Sequence, residues 1–231
     1  MAQLNLVRTK NLPILEQLQL EEALLRADNQ NWCIINEGTP PAIVLGSSSK
    51  VEEHLTPNSL PWIRRFSGGG VVVVNESTLF FTLICQSDLL PIAPFPKPVL
   101  EYVGGLLKSA LPEIEIVEND YTWKERKVAG NAQYFMKGRW LHHCSLLWDY
   151  LPEQMQLLKM PKRIPAYRNS RDHDSFLIAL HKIVPEKETF LHLILEELKN
   201  HYTLQFTSLS SAQQMLTKEH RRTTQLLTKK S

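Results

Sequence analysis

Two arginines, a serine and three consecutive glycines form the segment that is best suited to bind an anion. Glycine exposes backbone N–H groups and permits left-handed conformations, so such a loop can curl around a phosphate or a carboxylate. Arginine adds planar guanidinium groups that match both anions. The alternative is a flexible hairpin turn with solvated arginines. The residues are Arg64, Arg65, Ser67, Gly68, Gly69 and Gly70.

A second segment places a lysine among small residues on a predicted strand. Because side chains alternate along a strand, Lys127, Ala129 and Asn131 share one face, and Gly130 lies between the last two. A lysine there can lie along the sheet and present its ammonium group to a closely packed ligand. The alternative is a surface strand on which the lysine stem covers apolar neighbours.

Two polar segments each have two interpretations. Asn119 and Asp120 could hold a metal-bridged phosphate, or they could cap a turn. Three arginines between Arg163 and Arg171 could form a second anion site, or they could lie in a solvated basic loop.

Two histidines and a cysteine follow in the strand-like sequence RWLHHCS, which begins at Arg139. On a strand, His142 and Cys144 share one face and His143 points the other way. A metal site would need further ligands, and the sequence shows no obvious set. A Cys–His nucleophile pair is conceivable because an imidazolium lowers a thiol pKa, but a buried cysteine acting as a small hydrophobe is commoner.

The composition is that of an ordinary globular chain. Of its 231 residues, 43% are hydrophobic and 22% are charged, which excludes disordered and fibrous classes. A formal net charge of +2 argues against a general nucleic-acid binder. Three cysteines without CxxC spacing favour a reducing compartment. No apolar stretch approaches the roughly 20 residues that cross a bilayer, so we expect a cytoplasmic protein without membrane contact.

Hydrophobic periodicity predicts the elements that position these segments. A helix is expected over 14–26, and apolar runs at 32–36 and 42–45 are expected to pair as strands. Further strands are predicted at 71–74, 79–85, 113–117, 126–136 and 139–150. Helices are predicted at 99–111, 152–158, 175–183 and 188–201, followed by a polar tail. Strands and helices mix without regular alternation, which indicates an α+β fold in a single domain over 1–231.

Taken in this order, the segments resemble the lipoate–protein ligase family, within the superfamily shared with biotin ligases and octanoyltransferases. The motifs that carry the resemblance are RRFSGGG from Arg64, END from Glu118, RKVAGNAQ from Arg126 and RWLHHCSLL from Arg139. The resemblance extends clearly to Tyr150 and is greatest to a short, single-domain branch without an accessory domain. It implies a mixed sheet with flanking helices around a groove for an acyl chain and a nucleotide.

The resemblance also implies roles for individual residues. Lys127 matches the catalytic lysine of the family. Asp120 would contact Mg²⁺ indirectly, through a phosphate group that binds the ion. The residues that would line the substrate and adenylate sites are Arg64, Arg65, Ser67, Gly68, Gly69, Gly70, Asn119, Asp120, Gly130, Asn131, Arg139 and His142.

The chemistry implied by the family begins with attack of a lipoate carboxylate on the α-phosphate of ATP. The resulting lipoyl-AMP then acylates a lysine of a lipoyl carrier domain. A lysine amine between the two reacting anions favours their approach, since one charge pair at about 4 Å contributes roughly 4 kcal/mol at an effective dielectric of about 20. Mg²⁺ would neutralise the departing pyrophosphate. The strands at 71–74 and 79–83 could supply a dry slot for the acyl chain.

The expected partners are the E2 subunits of 2-oxoacid dehydrogenases and the H protein of the glycine cleavage system. Two alternatives to a ligase or adenylate-dependent lipoyltransferase stay open. One is carrier-to-carrier transfer of an octanoyl or lipoyl group through a thioester on Cys144. The other is a paralogue that binds lipoate or the adenylate without turnover, because the sequence ends at Ser231 and has Asn75-Glu76-Ser77 where the family has a His-Asp turn. A separate accessory protein could complete activation. The sequence motifs are compatible with either lipoate or octanoate as the acid.

Overall fold

The computed structural model describes residues 1–56, 58–159 and 164–228. The strands in these ranges are β1 (Ala2–Lys10), β2 (Trp32–Glu37), β3 (Ala42–Leu45), β4 (Trp62–Arg64), β5 (Val71–Val74), β6 (Thr78–Gln86), β7 (Glu115–Val117), β8 (Asp120–Trp123), β9 (Arg126–Met136), β10 (Arg139–Leu147), β11 (Tyr202–Phe206) and β12 (Gln225–Leu227). The α-helices are α1 (Ile14–Ala27), α2 (Val51–His54), α3 (Pro96–Lys108), α4 (Pro152–Met155), α5 (His173–Phe176), α6 (Lys187–His201) and α7 (Leu209–Gln213).

The larger sheet has eight strands in the order β11-β1-β2-β6-β10-β9-β8-β7. β1 pairs in parallel with β2 and β11, and the other neighbours pair antiparallel. The apolar side chains of α3 and α6 pack on one face of this sheet and form the main core. A mixed sheet with flanking helices confirms the predicted α+β class.

The smaller sheet has four strands in the order β12-β4-β3-β5. The predicted pairing of 32–36 with 42–45 is therefore wrong, because β2 and β3 belong to different sheets. Both edges of β2 are already occupied by β1 and β6. Gly38 turns the chain from one sheet to the other at φ 88°, and a Cβ at this position would lie 2.6 Å from the carbonyl oxygen of Glu76.

Helix α1 packs against both sheets and confirms the helix predicted over 14–26. Two of its carboxylates, Glu21 and Glu22, are buried, although an amphipathic helix normally keeps such groups in water. Glu22 accepts hydrogen bonds from the backbone N–H groups of Thr223 and Thr224, at 3.0 and 2.9 Å. These bonds hold the chain that leads into β12, so the predicted polar tail is wrong: the segment folds into β11, α7 and β12.

Other predicted elements differ in extent. The helix predicted over 99–111 begins earlier, at Pro96, and the strand predicted over 139–150 ends at Leu147. The helix predicted over 175–183 is divided, because Leu177 forms a parallel bridge with Lys127 of β9. No helix in the described ranges is long and apolar enough to cross a bilayer.

Candidate active site

Two adjoining cavities lie where β5 of the smaller sheet faces β9 and β10 of the larger one. The first is a narrow slot with a volume of about 50 Å³. The second is a wider groove of about 330 Å³, which is within the range of small-molecule sites. Val72, Gly130 and Ser145 belong to the walls of both cavities, so slot and groove adjoin at these three residues.

The slot is lined mainly by apolar side chains from α1, β3, β5 and β6. The strand residues that the sequence predicted for an acyl slot supply part of this wall. The apolar lining residues are Ile14, Leu18, Val44, Val72, Val74, Phe80, Ala132 and Cys144. Because each buried methylene contributes roughly 0.8 kcal/mol, such a slot suits an alkyl chain.

Lys127 lies on the wall of the wider groove, and Gly70 of the glycine loop belongs to the same groove. The Lys127 amine is 2.7 Å from Oδ1 of Asp120, and the other oxygen of Asp120 accepts a hydrogen bond from the Tyr167 hydroxyl at 2.9 Å. An ammonium group has three donors, so two remain for a ligand. Asp120 thus fixes the lysine beside the groove.

Arg65 organises the glycine loop from within. Its guanidinium donates to Oγ of Ser67 at 3.1 Å and to the carbonyl oxygens of Gly68 and Gly70 at 2.7 and 3.0 Å. Gly69 has φ 96°, and a Cβ there would lie 2.8 Å from Nη2 of Arg65, so only glycine fits. Burial lowers the pKa of Arg65 to about 10, which leaves it charged at neutral pH.

Arg64 lies outside both cavities. Its Nη1 donates to the carbonyl oxygen of Ser47 at 3.2 Å, and its backbone pairs with Gln225 of β12. Consecutive strand residues point to opposite sides, so Arg64 does not follow Arg65 into the glycine loop, and its role at the substrate site stays a prediction.

The histidine that faces the slot is His143, whereas the sequence analysis named His142. Nε2 of His143 is 3.0 Å from Oγ of Ser67, and its Nδ1 is 2.7 Å from Oε2 of Glu21. His142 points to the opposite face, where its Nε2 lies 3.2 Å from the hydroxyl of Tyr121. Burial lowers the pKa of His142 to about 3, so this imidazole is neutral. The alternation of the two histidines is visible in the sequence, but which of them faces a cavity is not.

Arg139 also lies away from the cavities. Its Nη2 donates to the carbonyl oxygens of Leu24 and Gln30, at 3.3 and 2.7 Å, near the carboxyl end of α1. Burial lowers the pKa of this guanidinium. Arg139 starts β10 at the end remote from Ser145, and its supporting role beside the groove stays a prediction.

Asn119, Gly130 and Asn131 are brought together with Lys127. Nδ2 of Asn131 donates to the carbonyl oxygen of Asn119 at 2.7 Å, which ties β9 to the start of β8. A Cβ at Gly130 would lie 3.1 Å from a methyl group of Val72 and 3.0 Å from Oγ of Ser145. Glycine therefore keeps the junction between slot and groove open.

The basic segment that the sequence left open contributes Arg168 to the groove. Its side chain is buried, with Nε 2.8 Å from the carbonyl oxygen of Arg171 and the guanidinium 4.6 Å from the ring centre of Phe176. It forms no salt bridge within the described ranges, and Nε2 of His173 beside it is buried without a hydrogen bond. Since buried arginines are normally paired, this wall favours an anionic ligand. Arg163 of the same segment lies outside the described residues.

All three cysteines are buried in the core. Burial raises the pKa of the Cys33, Cys85 and Cys144 thiols, so none is poised as a thiolate.

The family resemblance implies Mg²⁺, and the donor groups present do not form a site for it. No cluster of three His, Cys, Asp or Glu side chains suited to a metal ion occurs in the described part of the chain. Both oxygens of Asp120 are engaged by Lys127 and Tyr167. Glu118 already accepts a hydrogen bond from the backbone N–H of Tyr167 at 3.3 Å. We therefore derive no step through a protein-held metal.

A mixed sheet, an apolar slot and a lysine in the adjoining groove are the main features of the candidate site. Residues 13–199 match the family model described as the lipoyl protein ligase A/B catalytic domain. The chain therefore belongs to the lipoyl protein ligase A/B catalytic-domain family.

Similar proteins agree with this assignment. An inactive lipoate–protein ligase 2 of Plasmodium falciparum is 26% identical over 81% of this chain and 67% of its own length. The chain also matches three bacterial lipoate–protein ligases, and these matches span 33% to 48% of the length of each ligase.

Solved structures show the same fold. The bipartite lipoate–protein ligase of Thermoplasma acidophilum, studied with its E2 lipoyl domain, has a TM-score of 0.77 at 16% identity. The match covers 94% of this chain and 91% of the ligase chain. A lipoate–protein ligase A bound with ATP has a TM-score of 0.74 at 15% identity. The match covers 93% of this chain and 92% of the ligase chain. At these identities the likeness concerns the fold.

Proposed function

We propose that this chain attaches lipoate to a lysine of a lipoyl carrier domain through a lipoyl-adenylate. The observation that carries the proposal is that Lys127 lines a groove that adjoins an apolar slot. Gly70 and Arg168 line the same groove, and Val72 and Gly130 line both groove and slot. An acid with a long alkyl chain can thus bury its chain while its carboxylate meets the amine.

In the activation step, an oxygen of the lipoate carboxylate attacks the α-phosphorus of ATP. The new P–O bond forms as the bond to the β-phosphate oxygen breaks, and pyrophosphate leaves. Two free N–H donors of Lys127 would contact the carboxylate and the α-phosphate. One such donor typically contributes a factor of ~10²–10³ in rate, because it stabilises charge that develops in the transition state.

The groups that would bind the phosphates come from the segment that follows the larger sheet. Arg168 is buried at the groove and has no carboxylate partner among the described residues. His173 beside it offers a buried ring nitrogen of a neutral imidazole, because burial lowers its pKa. A lipoate–protein ligase of this fold has been solved with ATP, which supports the nucleotide as substrate. Mg²⁺, when bound, would neutralise phosphate charge and would be held mainly by the phosphates themselves.

In the transfer step, the carrier lysine amine attacks the acyl carbonyl of the mixed anhydride. AMP leaves, the attacking nitrogen loses a proton, and an amide remains. The open groove would admit the carrier lysine beside Lys127. The structural relative from Thermoplasma acidophilum was studied with an E2 lipoyl domain, and we propose the same class of partner, with H protein as a second carrier. A separate activating protein fits a bipartite system of that kind.

A cysteine thioester route is disfavoured by burial, although Cys144 is among the residues that line the slot. Cys144 is 2% exposed, and its thiol belongs to the main core together with Leu146. Burial raises its pKa, so that the thiolate needed for attack is disfavoured. A paralogue without turnover is the remaining alternative, since one similar protein is an inactive ligase.

The test is mass spectrometry of an apo lipoyl domain after incubation with the protein. One reaction contains lipoic acid, ATP and Mg²⁺, and a second contains synthetic lipoyl-AMP. Modification in both supports a complete ligase. Modification with lipoyl-AMP alone identifies a transferase that needs a separate activating protein. No modification in either, together with calorimetric binding of lipoyl-AMP, identifies a paralogue that only binds.

A further inference from the structure

Tyr167 connects a surface segment to the ion pair in the groove. It lies in the 3₁₀ turn Ala166–Arg168, and its hydroxyl donates to Oδ2 of Asp120 at 2.9 Å. The other oxygen of Asp120 is 2.7 Å from the Lys127 amine. One carboxylate therefore has an ammonium group on one side and a phenol on the other.

The same segment is also attached to the backbone of the lysine strand. The N–H of Ile178 donates to the carbonyl oxygen of Lys127 at 3.0 Å, and Nη2 of Arg126 donates to the carbonyl oxygen of Asp174 at 2.8 Å. These bonds hold the carboxyl end of the segment 166–178. Tyr167 holds its other end, next to the Arg168 side chain.

The phenol is suited to hold a carboxylate in one orientation. Its ring packs on Phe176, with 5.2 Å between ring centres, so its direction is fixed. Burial, together with the charge of Asp120, raises the pKa of Tyr167, so the hydroxyl keeps its proton and stays a donor. A carboxylate with both oxygens fixed cannot rotate, and its ammonium partner is then fixed as well.

We propose that Tyr167 is a positioning residue for Lys127, acting through Asp120, and that it makes the orientation of the lysine amine depend on the placement of the segment 166–178. Arg168 follows Tyr167 directly, so an anion held by Arg168 favours the placement that seats the phenol on Asp120. Ligand binding and orientation of the amine are coupled in this way. The catalytic meaning of the coupling rests on the proposed function, whereas the coupling itself does not.

Amine labelling tests the positioning of Lys127 by Tyr167 and Asp120 without any need for activity. The protein is treated with a limiting amount of an acetylating reagent, and acetylation of Lys127 is measured by mass spectrometry relative to Lys97, whose side chain is 85% exposed. We expect Asp120→Asn to raise the relative rate at Lys127 at least three-fold, and Tyr167→Phe to raise it in the same direction. Tyr167→Phe keeps the ring that packs on Phe176.

Tyr150→Phe is the matched control, because Tyr150 packs in the same apolar cluster and its hydroxyl forms no hydrogen bond within the described ranges. It should leave the labelling of Lys127 unchanged. An unchanged rate in Tyr167→Phe, beside a raised rate in Asp120→Asn, would overturn the role of the phenol. An unchanged rate in Asp120→Asn would overturn the role of the ion pair.

Carrier modification then tests the catalytic consequence. Tyr167→Phe should lower kcat about ten-fold, since a hydrogen bond to a charged group is lost, while the KM for lipoate stays within about two-fold. The double variant with Asp120→Asn should be no slower than Asp120→Asn alone, because the phenol acts only through the carboxylate. Additive losses would contradict the proposal. A wild-type protein without activity would count against the proposed function and leave the labelling result to decide the coupling.

Discussion

His143 hydrogen-bonds to Ser67, with Nε2 3.0 Å from Oγ, and so joins β10 to the glycine loop. The other ring nitrogen of His143 lies 2.7 Å from the buried carboxylate of Glu21. Glu21 in turn accepts hydrogen bonds from Gln17 at 2.8 Å and Thr82 at 2.7 Å. Helix α1, the larger sheet and the glycine loop are thus connected by one buried polar network beside the slot.

The network predicts that His143→Ala destabilises the protein by about 1–3 kcal/mol, because a buried carboxylate and a buried hydroxyl both lose a partner. Urea unfolding at pH 7 measures the change in the free energy of unfolding. Ser145→Ala is the matched control, since it truncates a neighbour on the same face that donates only to the Gly130 carbonyl, at 3.4 Å. Equal losses of unfolding free energy in the two variants would show that the network does not contribute to stability.

Lys127→Ala is expected to lower carrier modification by a factor of ~10²–10³ or more, because a donor and a charge are removed from the point where two anions meet. The urea midpoint should also fall, because the Asp120 side chain is 12% exposed and loses its ammonium partner, so the rates are compared where the variant is fully folded. Lys137→Ala, in the exposed turn between β9 and β10, should retain full activity. Wild-type rates in Lys127→Ala would refute the assignment.

Arg168→Gln is expected to raise the KM for ATP about ten-fold and to leave the KM for lipoate unchanged. The physical reason is the loss of a buried cation at the groove, while the slot contains no part of this residue. Arg64→Gln is the control, since Arg64 is an arginine outside both cavities. Steady-state kinetics with each substrate varied in turn separates the two effects. A rise in both KM values in Arg168→Gln would indicate a general disturbance of the site.

The sequence predicted most of the long elements, because they carry strong apolar periodicity. Helix α1 and the β9–β10 hairpin were predicted from their patterns alone. β4 and β12 have three residues each, too few for a periodic signal. β12 exists because Glu22 and β4 hold it, and such long-range contacts leave no local pattern.

The candidate site was predicted in part. The glycine loop and Lys127 stand out locally, as backbone freedom and an isolated cation among small residues. The roles of Asp120 and Tyr167 depend on a contact across 47 positions of the chain, so no spacing rule could reveal them. The sequence could not indicate that His143 lines the slot, because a strand pattern shows that two faces exist and does not show which face borders a cavity.

The buried imidazole of His142 predicts a defined dependence of stability on pH. Burial lowers its pKa from 6.5 to about 3 in the folded protein. Between these values the unfolded chain binds more protons, so the stabilisation is complete above pH 6.5 and is lost as the pH falls towards 3. At pH 5 the loss should be roughly 2 kcal/mol, at about 1.4 kcal/mol per pH unit. Urea unfolding at pH 7 and pH 5 measures it.

His142→Gln should remove this component of the pH dependence, because glutamine can bond to Tyr121 and does not titrate. His192→Gln is the control, since the side chain of His192 is 68% exposed and its loss should leave the difference between pH 7 and pH 5 unchanged. If the wild type and His142→Gln lose the same free energy of unfolding between the two pH values, the imidazole is protonated in the folded state. It would then lie in a more polar environment than the packing of β10 against Tyr121 indicates.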